Sequence, residues 1–150
     1  MDDIDLQALE KWMEPFLEKL EASERRKLFK RIATGLRNRQ AARISEQHNP
    51  DGSKFEPRKH RRKKGRIKRQ MKMFLRLRMA RHLQARSTDN AAGAGFKGMA
   101  AKIARVHIEG LSDEVTPGGP LYRYPIRKLL GFSDDDRDFI LEELNNHFLL

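Results

Sequence analysis

The chain has 150 residues and 17.5 kDa, with 38% hydrophobic and 35% charged positions, a mean hydropathy of −0.79 and a net charge of +11. That length suits one domain over 1–150, with a lean core built from eight Phe and the Leu, Ile and Met patterns. No apolar run approaches the roughly eighteen residues of a membrane span, the acidic start Met1-Asp2-Asp3 is unlike a signal peptide, and zero cysteines remove disulfides, thiolate zinc sites and thiol nucleophiles.

A soluble, unexported chain is expected, acting in a reducing compartment or in a particle assembled inside one. Its charge is segregated. Residues 1–24 carry net −6, residues 25–88 net +20, residues 89–133 net +2 and residues 134–150 net −5. Acidic ends and a basic middle attract one another within a subunit or between neighbours, so nucleic acid is not the only partner this charge fits.

Leu9, Met13, Phe16, Leu17 and Leu20 recur at helical spacing and predict a helix from about Asp5 to Leu20, which Pro15 should kink or start late. Ser23 then reads as the cap of a second, antiparallel helix reaching Ile44. Its apolar stripe is Leu28, Phe29, Ile32, Ala33 and Leu36, with Arg37, Arg39 and Arg43 on the solvent or partner side. Asn49-Pro50-Asp51-Gly52 reads as the turn that stops it. Phe55–Lys64 is expected as an exposed connection, a mobile basic loop over 58–65. Ile67, Met71, Phe74 and Leu75 predict a short basic helix after it.

His82–Thr88 and Ala94–Lys97 read as hairpin strands across 89–93. Met99, Ala100, Ile103, Ala104 and Val106 predict a helix stopped by Gly110, followed by a loop over Ser112–Pro120 and an edge strand over Leu121–Ile126. Ser133 ahead of Asp134-Asp135-Asp136 joins a hydroxyl cap to acids at the positive end of the helix dipole, opening a last helix that uses Phe139, Ile140, Leu144 and Phe148. The expected fold is α+β: an N-terminal helical pair, a basic extended loop, a small antiparallel sheet with inserted helices, and a C-terminal helix.

Catalytic chemistry finds little support. Gly93-Ala94-Gly95-Phe96-Lys97-Gly98 has G-x-G-x-x-G spacing but lacks the buried parallel strand that a dinucleotide site needs, and reads as a hairpin leading into a helix. The histidines His48, His60, His82, His107 and His147 show no ligand pair at one-turn spacing, so no metal or cofactor is expected. His107, among Ile103, Val106 and Ile108, reads as a satisfied half-buried histidine. The sharpest feature is the run Arg58, Lys59, Arg61, Arg62, Lys63, Lys64, Arg66, Lys68 and Arg69, nine cations in twelve residues. Such density attracts phosphate at low salt whatever its role, and the run lacks both base-reading side chains and interleaved aromatics. On physics alone it divides evenly between an acidic protein neighbour and nucleic acid. The alternative to a structural role is a DNA-binding accessory protein using residues 58–78 on phosphates.

Four stretches then carry a resemblance: LRNRQAARISEQHNPDGSKFEPRK (Leu36–Lys59), KKGRIKRQMKMFLRLR (Lys63–Arg78), GFKGMAAKIARVHIEGL (Gly95–Leu111) and YRYPIRKLLGFSDDDRDFILEELNNHF (Tyr122–Phe148). In this order they resemble the phage virion morphogenesis family over nearly the whole chain. The resemblance implies a structural, non-catalytic protein that completes the tail so that it joins a filled head. Related tail-end proteins build rings, commonly sixfold, around the DNA channel. Implied partners are further copies of the chain, the tail terminator, tail tube or neck proteins, and DNA in the channel, with no membrane. The implied place is the head-proximal end of the tail in the virion, after assembly in the host cytoplasm. No catalytic or ligand residues come with the motifs. Pro50, Asp51, Gly52, Gly131 and Ser133 read as structural turn and cap positions, and Arg127, Leu129, Leu130 and Gly131 as setting the angle of the final helix.

Overall fold

Apolar residues at three- and four-residue spacing make one long helix the axis of the molecule. The computed structural model of the chain describes residues 3–59, 62–63, 66–67 and 72–148. Helices α1 (Asp3–Glu18) and α2 (Ala22–Ser45) form the expected pair. There follow β1 (Arg62–Lys63), β2 (Arg66–Ile67), β3 (Leu83–Ser87), β4 (Ala92–Phe96), α3 (Met99–Glu109), β5 (Ser112–Glu114), β6 (Leu121–Arg123) and α4 (Asp134–Phe148). The fold is α+β. Its strands form three separate antiparallel pairs among the described residues, β1 with β2, β3 with β4 and β5 with β6, instead of one small sheet.

Two apolar clusters flank α2. Toward its N-terminus Leu28, Phe29, Ile32 and Leu36 pack with Met13 of α1 and with Ile140 and Leu144 of α4. Toward its C-terminus Ala41 and Ile44 pack with Phe55, Met73, Leu77, Leu83, Ala100, Ala104 and Leu129. Each fully buried Leu or Ile in such a cluster contributes about 1.5–3 kcal/mol relative to exposure. The β3–β4 hairpin lies across α2, in register from Leu83 opposite Phe96 to Ser87 opposite Ala92. Helix α4 crosses α2 at Gly35, where a Cβ would stand 2.0 Å from Cζ of Phe139.

Several expectations are corrected. Helix α1 begins at Asp3 and runs through Pro15, so the proline does not delay its start. Ser23 does not cap α2: Glu21 is the cap residue, extended at φ −63° and ψ 152°, and its carbonyl accepts the first helical bond from Arg25 N–H at 3.0 Å. Phe55 is buried at 4% exposure, so the exposed connection begins only at Glu56. Within the stretch expected to lack regular structure, Arg62 and Lys63 pair with Ile67 and Arg66.

No helix covers the described parts of the predicted basic helix: Ile67 lies on β2, and 72–75 are not helical. Met73 has its backbone N–H and C=O bound by the Gln47 side chain at 2.7 and 2.8 Å, and Phe74 takes a left-handed φ of 65°. Those interactions remove the groups and the dihedral that a helical turn would use. Ser112–Glu114, expected in a loop, is a strand facing Leu121–Arg123, and the edge strand stops before Pro125. Helix α3 and its left-handed stop at Gly110, φ 64°, are as expected. It buries Ala100 and Ala104 and leaves Met99 and Ile103 exposed.

Candidate assembly interface

The basic run is fixed at its root before it leaves the body. Arg127 is buried, and its guanidinium donates to Glu56 O at 2.7 Å, to Pro57 O at 3.2 Å and to Nδ1 of His107 at 3.2 Å. A guanidinium has only donors, so Nδ1 of His107 is the acceptor and the ring carries its proton on Nε2. Burial, followed by the charges of Arg127 and Arg58, pushes the His107 pKa down to about 4, which keeps the ring neutral near pH 7. The ring lies in a line of edge contacts: Phe55 to Phe74, Phe74 to His107, His107 to Tyr124 and Tyr124 to Tyr122, with centroids 4.7–5.9 Å apart. Lys59 Nζ then sits 4.3 Å from the centroid of Tyr122, a cation over a π face.

Gln47 ties the other side. At the end of α2 it adopts φ 61°, its carbonyl accepts from Phe55 N–H at 2.8 Å, and its side chain holds Met73. Lys72 Nζ donates to Ser45 O at 3.1 Å, where the helix leaves carbonyls unpaired. Residues 56–72 therefore leave and return at one place, the C-terminal end of α2. Of the nine cations, Arg58 and Lys59 lie in exposed extended chain at this root. Arg62, Lys63 and Arg66 lie on β1 and β2. Arg61, Lys64, Lys68 and Arg69 lie outside the described residues.

The turn and cap residues do what their types predict. Asp51 accepts from Ser53 N–H at 2.9 Å and from its hydroxyl, and these bonds hold its carboxyl below the usual range. Gly52 takes φ 87° and donates to Asn49 O at 3.0 Å. Gly131 faces the Pro50 ring, whose Cγ would be 2.6 Å from a Cβ there, so the turn packs directly on the approach to α4. Ser133 Oγ accepts from Asp136 N–H, and an Asp136 carboxylate oxygen accepts from Ser133 N–H, both at 3.0 Å: a reciprocal cap.

Asp136 does more than sequence suggests. It is 1% exposed and accepts from Arg39 at 2.8 Å and from Arg43 at 3.0 Å, while Arg43 and Gln40 also reach Gly131 O. Burial alone would raise its pKa. The Ser133 N–H and the two guanidinium groups outweigh that and hold the carboxyl below its ordinary value. Arg39 and Arg43 thus staple α2 to α4 instead of facing solvent or a partner. Arg37 likewise turns inward, donating to Leu83 O at 3.0 Å and to Arg78 O. Among the described residues no group of three His, Cys, Asp or Glu is placed to hold a metal ion, and no helix is long and apolar enough to cross a membrane.

At the other end of α2, toward its N-terminus, lies a cleft of about 720 Å³ between α1 and the β3–β4 turn. A sequence profile of the phage virion morphogenesis family matches residues 4–149. The chain belongs to this family. Its similarity to the Tail completion protein S of Escherichia phage P2 is 40% identity over 135 residues, which is 87% of this chain and 89% of the phage P2 protein. No solved structure matches. In this virion morphogenesis protein the basic segment is rooted at the C-terminal end of α2, beside the acidic start of α4, and the cleft next to acidic α1 lies toward the N-terminal end.

The two anchors of that segment, Gln47 and Arg127, escaped sequence reasoning as functional residues. Arg127 was read only as shaping the last helix. Its partners are main-chain carbonyls about 70 residues away, a relationship with no sequence signature.

Proposed function

We propose that this chain is a structural subunit that completes the phage tail at its head-proximal end, forming a ring there so that the tail joins a filled head. The observation that carries the reading is the 40% identity, over nearly the full length of both chains, to a protein named for tail completion. The geometry supports it. Acidic α1 and the rooted basic segment occupy different parts of the subunit, and unlike surfaces that meet head to tail close a ring without a large apolar interface. Arg127 and Gln47 are structural anchors in this reading, and the ring's partners are other copies and the tail or neck proteins at the same end.

The test is to image the purified chain by negative stain, with light scattering in parallel, before and after mixing with tails that lack it. Rings in solution or at the head-proximal end of those tails are expected. A strict monomer that never associates with tails overturns the proposal.

A further inference from the structure

The cleft beside α1 has an apolar floor and an acidic lip. Half-buried Leu6, Leu9, Leu17, Ala92 and Phe132 face into it. Glu10, Glu14 and Glu18 form one lip, exposed at successive one-turn spacings along α1 with Lys11 among them, and Asp89 in the β3–β4 turn stands opposite, paired with Arg25. Among the described residues none of the three glutamates has an ion-pair partner. Arg25 lies at the edge of the cleft, where it pairs with Asp89 at 3.9 Å and donates to Leu20 O at 2.9 Å, so its charge is already committed to holding α1 and the turn together. Like charges at i and i+4 cost a helix about 0.2–0.5 kcal/mol per pair, and Lys11 is the single cation that α1 itself brings to the three glutamates lining the cleft.

We infer that this cleft receives the basic segment of a second copy of the chain, residues 62–69, with Ile67 against the apolar floor and the cations against the glutamate lip. The occupant follows from charge and placement. Residues 62–69 hold six cations, and Ile67 and Met71 are the two large aliphatic residues between Phe55 and Met73. That composition matches an apolar floor beside a negative lip. The root of the segment is at Gln47, just past the end of α2 at Ser45, and the cleft is beside Ile32, thirteen helical residues before that end, or about 20 Å along α2. A donor surface at one end and an acceptor surface at the other make a heterologous contact that repeats from subunit to subunit. The inference rests on the ring reading and names the contact within it.

Charge reversal tests it on the full-length chain. One variant carries Glu10→Lys, Glu14→Lys and Glu18→Lys; the other carries Arg62→Glu, Lys63→Glu and Arg66→Glu. The altered glutamates are exposed, and circular dichroism checks that both variants fold. In sedimentation velocity at physiological salt each variant alone should lose the association of the wild-type chain. An equal mixture should regain it, because each supplies the sign that the other now lacks. Assembly of either variant alone at wild-type concentrations overturns the cleft contact and leaves the ring reading standing. So does failure of the mixture to recover. A wild-type chain that never self-associates in solution or on tails overturns both.

Discussion

Asp136 joins two jobs in one carboxylate: it closes the cap of α4 with Ser133 and neutralises Arg39 and Arg43 on α2. Asp136→Ala leaves Arg43, whose side chain is only 11% exposed, without its counter-charge, and should cost about 3–5 kcal/mol in chemical denaturation. Asp135→Ala, one residue away and exposed, should cost less than about 1 kcal/mol. His107 sets a pH dependence of opposite chemical origin. Its folded pKa of about 4 lies below the unfolded 6.5, so the unfolded chain takes up this proton first as the pH falls. Stability from this group is full above pH 6.5 and declines down to about pH 4. Asp136, with its pKa depressed below 3.8, contributes stability above that value and loses it as the pH falls through its folded pKa. His107→Asn keeps an acceptor for Arg127 without the titrating ring, and should flatten the stability profile between pH 6.5 and 4 in denaturant titrations at several pH values.

At the scale of elements, Gln47 decides where the basic segment leaves and returns. Gln47→Ala removes both side-chain bonds to Met73 and should speed amide exchange at Met73 and its neighbours, with α4 unchanged. Unaltered exchange at Met73 would show that the apolar packing of that residue is sufficient. The same contact marks the boundary of what the sequence discloses. Helices α2, α3 and α4, the β3–β4 hairpin, the Asp51-Gly52 turn and the Ser133 cap were legible because each is specified by neighbours a few residues apart. The predicted basic helix failed at 72–75 because a glutamine 26 residues earlier takes Met73's backbone groups. Arg39 and Arg43 were misplaced because their partner lies more than 90 residues away. Apolar period located the acidic α1. It carried no sign of the cleft, since the opposite lip is supplied by the β3–β4 turn.

For the whole molecule, the net charge of +11 is less informative than its division between a basic middle and acidic ends. If the basic segment served mainly to grip DNA through six to ten phosphates, affinity for duplex should fall by roughly three to five decades between 50 and 200 mM salt. The assembly reading predicts that DNA binding fades over this range while ring formation persists, because the subunit contact includes an apolar floor that salt does not screen. A fluorescence titration with duplex at several salt concentrations, run beside sedimentation of the same samples, separates the two. Rings that fall apart in step with DNA release would favour the phosphate-binding role.

The double anchorage of residues 56–72 also has a mechanical side. Arg127 holds the outgoing strand of chain through two carbonyls, and Gln47 holds the returning strand through both backbone groups of Met73. A pull on the segment loads these anchors in parallel and passes into α2 and α3, with no free end from which to peel. Tension applied through the segment is therefore expected to be shared by the two anchors before either strand of it comes away.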